Sequence, residues 1–470
     1  MVLPPMAANS SPPRGTAGRS QESVHDLPEF GRLKRSRSGR LTGRLVSDSM
    51  WQVASVAFIV ASMLISIRLL TEAMPREDFG AVNLLIGIAT LSRNVFCQPF
   101  LMATSRYYPE CALRGEKGML RRVVFRDLGR STLILAGLIV LGGVPCFQWH
   151  LKSLLLVPLL VGLITAENLC ALEIALLLAA QRQRATAVMR GCEACLRPFA
   201  AILLIRWLRP TPAVIILGFL IAEFAVYAGL FMFRVDRVGA DDRPGSSRTV
   251  TPESRELRRR IWRFGLPLVP IPILEWLSNV GDRYMIGGLI GLKPAGAYIA
   301  AYSLVSHPFY IAQGLPALLL CPIYFDAVAR GDDPRARRIL LNWLAITIVL
   351  CVLGIAAFTL LGDTIARILL AQPYRSASRL FPWIAVGNAL LALCLVLERP
   401  FQAWHRTGNC LLVRCAGSIL SVAVGVPMIL LWGIDGAARA VPIYFGAQLA
   451  LTMALYRFAK KELNDTTRDL

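Results

Sequence analysis

The stretch NVGDRYMIGGLIGLKPAGAYIAAY, Asn279–Tyr302, decides how the rest of this chain is read. An acid and a base, Asp282 and Arg283, stand side by side in an apolar run, and a Lys-Pro-Ala-Gly turn separates that run from the next. Helical apolar runs of about 20 residues match the thickness of a bilayer core. The stretch therefore reads as the end of one membrane-spanning helix, a tight turn and the start of another. Its two charges then need a partner or a wet cavity, because charge at mid-bilayer costs at least about 2.5–3.5 kcal/mol.

Composition extends that reading to the whole chain. Of 470 residues 55% are hydrophobic and only 17% charged, with a mean hydropathy of +0.54. The net charge of +21 sits in clusters between apolar runs, which points to a membrane protein and away from a nucleic-acid binder with a continuous basic face. Residues 1–45 are rich in Pro, Ser, Gly and Arg, and are expected to form a disordered cytosolic tail whose RLKRSRSGRLTGR segment faces anionic lipid. The eleven cysteines are scattered, mostly through apolar runs, so free buried thiols are expected. Cys192 and Cys195 form a C-x-x-C, but with no second pair or nearby His no metal site and no cofactor is expected.

Twelve spans can be drawn, near 48–70, 80–105, 128–148, 154–180, 187–208, 212–233, 263–290, 295–323, 339–361, 380–403, 410–432 and 436–457. Arginines crowd the loops after spans two, six and eight, while the opposite loops are short and poor in base. By the positive-inside rule both termini are cytosolic. Only Arg367, Arg375 and Arg379, after span nine, break the pattern. A shift of 216 residues aligns Gly80-Ala81 with Gly296-Ala297, Tyr108 with Tyr324, Arg114-Gly115 with Arg330-Gly331, and Arg121-Arg122 with Arg337-Arg338. With six spans per half, the copies keep one orientation and are related by an axis along the membrane normal, with substrate between them. The expected architecture is an all-α, polytopic membrane protein of about twelve helices in two six-helix bundles. Its parts are a first bundle at 46–235, a cytosolic linker at 236–261, a second bundle at 262–458 and a C-terminal tail at 459–470.

WLSNVGDRYMIGGLIGLKPAGAYIAAYSLVSHPF resembles spans seven and eight of the polysaccharide biosynthesis (Wzx-like) flippases of the MATE/MOP superfamily. Ser278, Asp282, Arg283, Gly291, Gly296 and Tyr298 occupy that family's pattern. RLLTEAMPREDFGAVNLL is similar to its opening hairpin, with Val82 in place of the usual aromatic, and LLAQPYRSASRLFPWIAVGNALLAL to its segment before span ten. The resemblance implies movement of a lipid-linked oligosaccharide, usually on polyprenyl pyrophosphate, from the inner to the outer leaflet of the cell membrane. Polysaccharide polymerase or assembly proteins would then be its partners, alongside membrane lipid.

Such a transporter needs cations in a wet cavity to hold a pyrophosphate, and arginine suits the task because its planar fork stays charged. Arg68, Arg93, Asp282 and Arg283 are the candidate substrate-binding residues. Arg93 has no acid within a turn of its own helix. Coupling to a proton or sodium ion needs an acid able to change charge, and Glu167, Glu223, Glu275 and His307 are the candidates. Glu275 and Asp282 are seven apart, nearly on one helix face. Bland readings compete: Glu193–Arg197 as an i,i+4 ion pair, Asp282–Arg283 as a helix-end anchor, His307 as an interior hydrogen-bonded histidine. Gly287 and Gly291 read as a GxxxG packing motif. A multidrug-type exporter of the same superfamily is the closer alternative. A polytopic polymerase or ligase is the remoter one, since no H-E-x-x-H, Walker A or G-x-S-x-G appears and no enzyme is expected.

Overall fold

A computed structural model describes residues 51, 55–147, 155–180, 182–232, 252–266 and 269–468. The tail expected at 1–45 lies outside the described residues, as does the linker up to residue 251. The first half contains α1 (Ser55–Ala73), α2 (Arg76–Phe96), α3 (Gln98–Leu113), α4 (Lys117–Phe147), α5 (Leu156–Ala179), α6 (Gln183–Trp207) and α7 (Pro212–Met232). A short helix, α8 (Pro252–Gly265), leads into the second half. There follow α9 (Pro270–Leu289), α10 (Leu292–Ala329), α11 (Asp333–Leu360), α12 (Gly362–Leu369), a 3₁₀ segment (Gln372–Leu380), α13 (Phe381–Leu397), α14 (Arg399–Ala403) and α15 (Thr407–Arg468). α15 breaks at Gly433, whose φ of 59° is not helical, so its two limbs are separate traverses. With α2–α3 and α13–α14 each counted as one traverse, the described residues form twelve traverses in two bundles of six.

Among the described residues, eight helices are long and apolar enough to cross a membrane by length and composition. Two further traverses fall short for a physical reason. α6 carries Arg190, Glu193 and Arg197, and α9 carries Glu275, Asp282 and Arg283. These are helices whose charge the fold must use or neutralise.

The two halves repeat at the level of the backbone. α2–α3 and α10 begin at Arg76 and Leu292 and end at Leu113 and Ala329, both offset by 216, and α4 and α11 begin at Lys117 and Asp333 with the same offset. Each long traverse ends in the same way. Gly115 and Gly331 take φ of 72° and 70°, a left-handed conformation that glycine adopts without a Cβ penalty. Glu116 and Asp332 then donate their N–H groups to the carbonyls of Cys111 and Ala327 at 2.8 and 3.0 Å. Arg114–Glu110 and Arg330–Asp326 form matching ion pairs at 2.9 Å.

α2 and α10 cross each other at Gly80 and Gly296. A Cβ on Gly80 would lie 2.5 Å from the Leu292 carbonyl oxygen, and one on Gly296 would lie 1.9 Å from that of Arg76. Arg76 and Leu292 are themselves equivalent positions, so the contact is reciprocal, as at a two-fold axis. Only glycine lets the backbones approach this closely. Of the expected GxxxG, Gly287 does pack, against Leu84 of α2. Gly291 does not: nothing lies near it, and its φ of 107° makes it the turn residue before α10.

At the end carrying these Gly-Arg loops, hereafter the basic end, α8 is fixed to the first half. Leu257 and Ile261 bury against α3 and α4. Asp127 of α4, 1% exposed, accepts from Arg258 Nε at 2.9 Å and Trp262 Nε1 at 3.0 Å. The opposite, hairpin end is closed over by the segment from α12 through the 3₁₀ turn.

Candidate functional site

A set of side-chain hydrogen bonds joins the halves toward the hairpin end. Arg68 Nη1 donates to the Leu370 carbonyl at 2.5 Å, and Tyr374 OH to that of Met74 at 3.1 Å. Ala371 N–H donates to Thr71 Oγ1 at 3.3 Å. Deeper, Tyr284 OH donates to the Leu84 carbonyl at 2.5 Å and Trp276 Nε1 to that of Gly87 at 3.1 Å. At 1.5 Å rise per residue, Gly87 is about 16 Å along α2 from Arg76. The seal thus occupies about half the thickness of the bilayer core.

Below the seal, the first half presents a cavity of 280 Å³ bounded by Arg93, Gln98, Ser105, Glu167, Arg190 and Glu193. Arg93 lies on α2 about 9 Å beyond Gly87. Its Nε is buried without a hydrogen-bond partner, and no carboxylate lies within ion-pair distance among the described residues. Behind the cavity, Arg197 of α6 gathers Glu167 of α5 at 2.9 Å, Glu193 of its own helix at 3.0 Å and Glu223 of α7 at 2.5 Å. The expected i,i+4 pair is therefore one arm of a four-residue cluster. Glu223 is fully buried, and its Oε2 has no partner. Three carboxylates on one guanidinium leave an excess of acid inside the bundle, a state that invites a proton or cation.

The second half carries a different polar set. Asp282 is buried, accepts from the Tyr298 hydroxyl, and also accepts from the Arg283 N–H at 2.8 Å. The Arg283 guanidinium instead lies over the Tyr302 ring at 4.9 Å, with Nε buried and unpartnered. Adjacent residues on a helix point to different faces, and here one carboxylate is locked while the neighbouring cation is held by an aromatic face. Glu275 does not join Asp282. It is 45% exposed at its side chain and pairs with Arg414 at 3.5 Å, while buried Glu398 holds the same arginine at 2.9 Å. His307 Nδ1 bonds the Ser303 carbonyl.

The sequence-derived candidates thus fall into separate places. Arg68 is part of the seal, with Glu72 at 3.5 Å. Arg93, Glu167 and Glu223 share the first-half region, and Asp282, Arg283, Glu275 and His307 lie in the second half. Sequence reasoning missed Arg190, Glu398 and Arg414. A signal for Arg414 existed: it lies 217 residues after Arg197, so each half places an acid-gathering arginine on its fifth traverse.

By sequence, no family model and no curated protein matches the chain. By structure, solved transporters do. Lipid II flippase MurJ in an inward closed conformation superposes with a TM-score of 0.66 at 14% identity, covering 88% of this chain and 87% of that one. The chain shares the fold of that solved transporter. An inward-facing multidrug resistance MATE family transporter of the MOP superfamily gives 0.65 at 14% identity, covering 89% and 99%. A MOP superfamily transporter from Pyrococcus furiosus Vc1 gives 0.58 at 13% identity, covering 90% and 95%.

Proposed function

We propose that the chain is a membrane transporter that flips a polyprenyl-pyrophosphate-linked oligosaccharide from the cytoplasmic to the outer leaflet by alternating access. The observation that carries the reading is Arg93, a guanidinium with no carboxylate partner in the wall of a cavity below the seal. A pyrophosphate passing mid-membrane needs such a cation, while its lipid tails stay in the bilayer. The arginine-rich loops support a cytosolic basic end, with both termini on that side. The state described is then sealed outside and accessible from within. In this scheme Arg68 works at the gate, and Arg283, steadied by Tyr302 beside Asp282, supplies a second cation from the other half. Glu167 and Glu223, with their acid excess around Arg197, are the leading coupling groups for a proton or sodium ion, ahead of Glu275 and His307. The tail and linker at 1–45 and 236–261 are assigned to the cytosol.

That same acid excess favours a second reading, export of a cationic drug, because three carboxylates attract cations rather than phosphates. Deletion followed by mass spectrometry of polyprenyl-linked lipids separates the two. Accumulation of a complete, unpolymerised repeat unit, relieved by the wild-type chain and not by Arg93→Ala, is the expected result. Unchanged glycolipid with heightened drug sensitivity selects the exporter, and an incomplete repeat unit selects an enzyme.

A further inference from the structure

The hairpin face carries a cavity of its own, of 400 Å³, which none of the roles above uses. Arg76 of the first half and Lys293 of the second both line it, with Arg379 and Ser376 from the 3₁₀ segment. Arg76 and Lys293 come together because α2 and α10 cross one turn deeper, at Gly80 and Gly296, so both helix N-termini open on this cavity. Helix N-termini favour anions.

The charges here are not used up internally. Arg379 is paired with Asp435 at 2.8 Å. Among the described residues neither Arg76 nor Lys293 has a carboxylate within ion-pair distance, and the Arg76 Nε is buried without a partner. Tyr374 braces the Arg76 guanidinium at 5.8 Å from its ring centre. Glu77 and Asp78, in the first turn of α2, do not line the cavity. Asp435 also lines the cavity, where its carboxylate is paired with Arg379, and the rest of the wall is apolar, with Ile290, Trp432 and Ile434. Trp432 is half exposed, as suits a side chain at a lipid headgroup boundary.

We propose that this cavity is a binding site for a phosphate-class anion, free or on a lipid headgroup, and that its occupancy holds the hairpin end sealed. The coupling follows from where the cations lie. Arg76 and Lys293 belong to opposite halves and can share one anion only while those halves are together. A ligand that binds one state more tightly draws the protein into it. Arginine supplies a planar fork and lysine a point charge, a combination suited to phosphate oxygens. The site is independent of Arg93 and of the glycolipid reading.

The test uses the full chain in phosphatidylcholine nanodiscs, titrated with inorganic pyrophosphate by calorimetry. The titration is run in an Arg93→Ala background, so that the inner cavity does not contribute; one site is expected there, weakened at least about tenfold by Arg76→Gln and by Lys293→Gln. Lys293 is exposed, so its variant keeps the test valid if Arg76→Gln fails to fold. A Thr71→Cys reporter, at a position 2% exposed within the seal, should be alkylated several-fold more slowly with pyrophosphate present, as followed at that site by mass spectrometry. Lys293→Gln should abolish that protection. Replacing part of the nanodisc lipid with phosphatidic acid separates the sources: protection without added pyrophosphate assigns a lipid headgroup, and protection by pyrophosphate alone assigns a free anion. The proposal is overturned if neither ligand protects the reporter. It is equally overturned if binding is lost in Arg93→Ala but kept in Lys293→Gln, a result that would leave the proposed function standing.

Discussion

Replacing Gly296 with alanine should pry the hairpin end open. The added Cβ would sit 1.9 Å from the Arg76 carbonyl oxygen, 2.9 Å from its carbon and 3.2 Å from Gly80 N. All three are backbone atoms, so no rotamer change relieves the clash, and α2 must move away from α10. Overpacking a close contact costs about 1–3 kcal/mol. The intrinsic gain of alanine over glycine in a helix applies in every conformation and cancels from the comparison. A state with the halves parted at this end escapes the clash, so the equilibrium should move toward it by about 5- to 150-fold. The assay is the alkylation rate of the Thr71→Cys reporter, which rises as the seal opens. Gly80→Ala, whose Cβ meets the Leu292 oxygen at 2.5 Å, should act in the same direction but less strongly. Gly288→Ala, with nothing within 4 Å, should leave the rate unchanged. If Gly296→Ala is monodisperse and its reporter reacts no faster than that of Gly288→Ala, the crossing is not the closure point and the reasoning fails.

Three further outcomes are expected. Glycan export, with expression matched by blotting, should fall partly in Arg93→Lys, which keeps charge but loses the fork, and further in Arg93→Ala; normal export by Arg93→Ala would return Arg93 to a structural role. Arg197→Met should lower thermal stability by about 3–5 kcal/mol, because it strands buried carboxylates, whereas Glu223→Gln should cost far less; equal midpoints for the two would mean that the cluster is not held by charge. A cysteine probe at Ser254 on α8 should stay unlabelled by an impermeant reagent in intact cells, and strong labelling there would invert the orientation.

The fold was legible because membrane insertion writes itself on sequence in one dimension. Apolar length, arginine asymmetry and the 216-residue repeat each survive without knowledge of contacts. The repeat even carried the loop geometry, since Arg-Gly at 114–115 and 330–331 marks the same left-handed cap. Contacts between helices were less accessible. Seven-residue spacing put Glu275 and Asp282 on one face of α9, but α9 is flanked on different levels by α15 and α10. Arg414 from one claims Glu275, and Tyr298 from the other claims Asp282. Glycine spacing likewise could not tell Gly287, which meets α2, from Gly291, which turns the chain.

The repeat also said more than it was asked. Gly80 and Gly296 were matched as equivalent positions, and equivalence alone predicts only that they superpose. In the structure they touch, which places them on the axis that relates the halves. Residues that meet on such an axis at one end of the bundle part equally and oppositely when the halves rock open there, so the glycine crossing and the latches around it, such as Arg68 to Leu370, break in one movement. The hairpin end is therefore a closure point bordered by breakable latches. Charge on either side of it, Arg93 below and Arg76 with Lys293 above, sits where rocking would alternately expose one anion-binding surface and then the other.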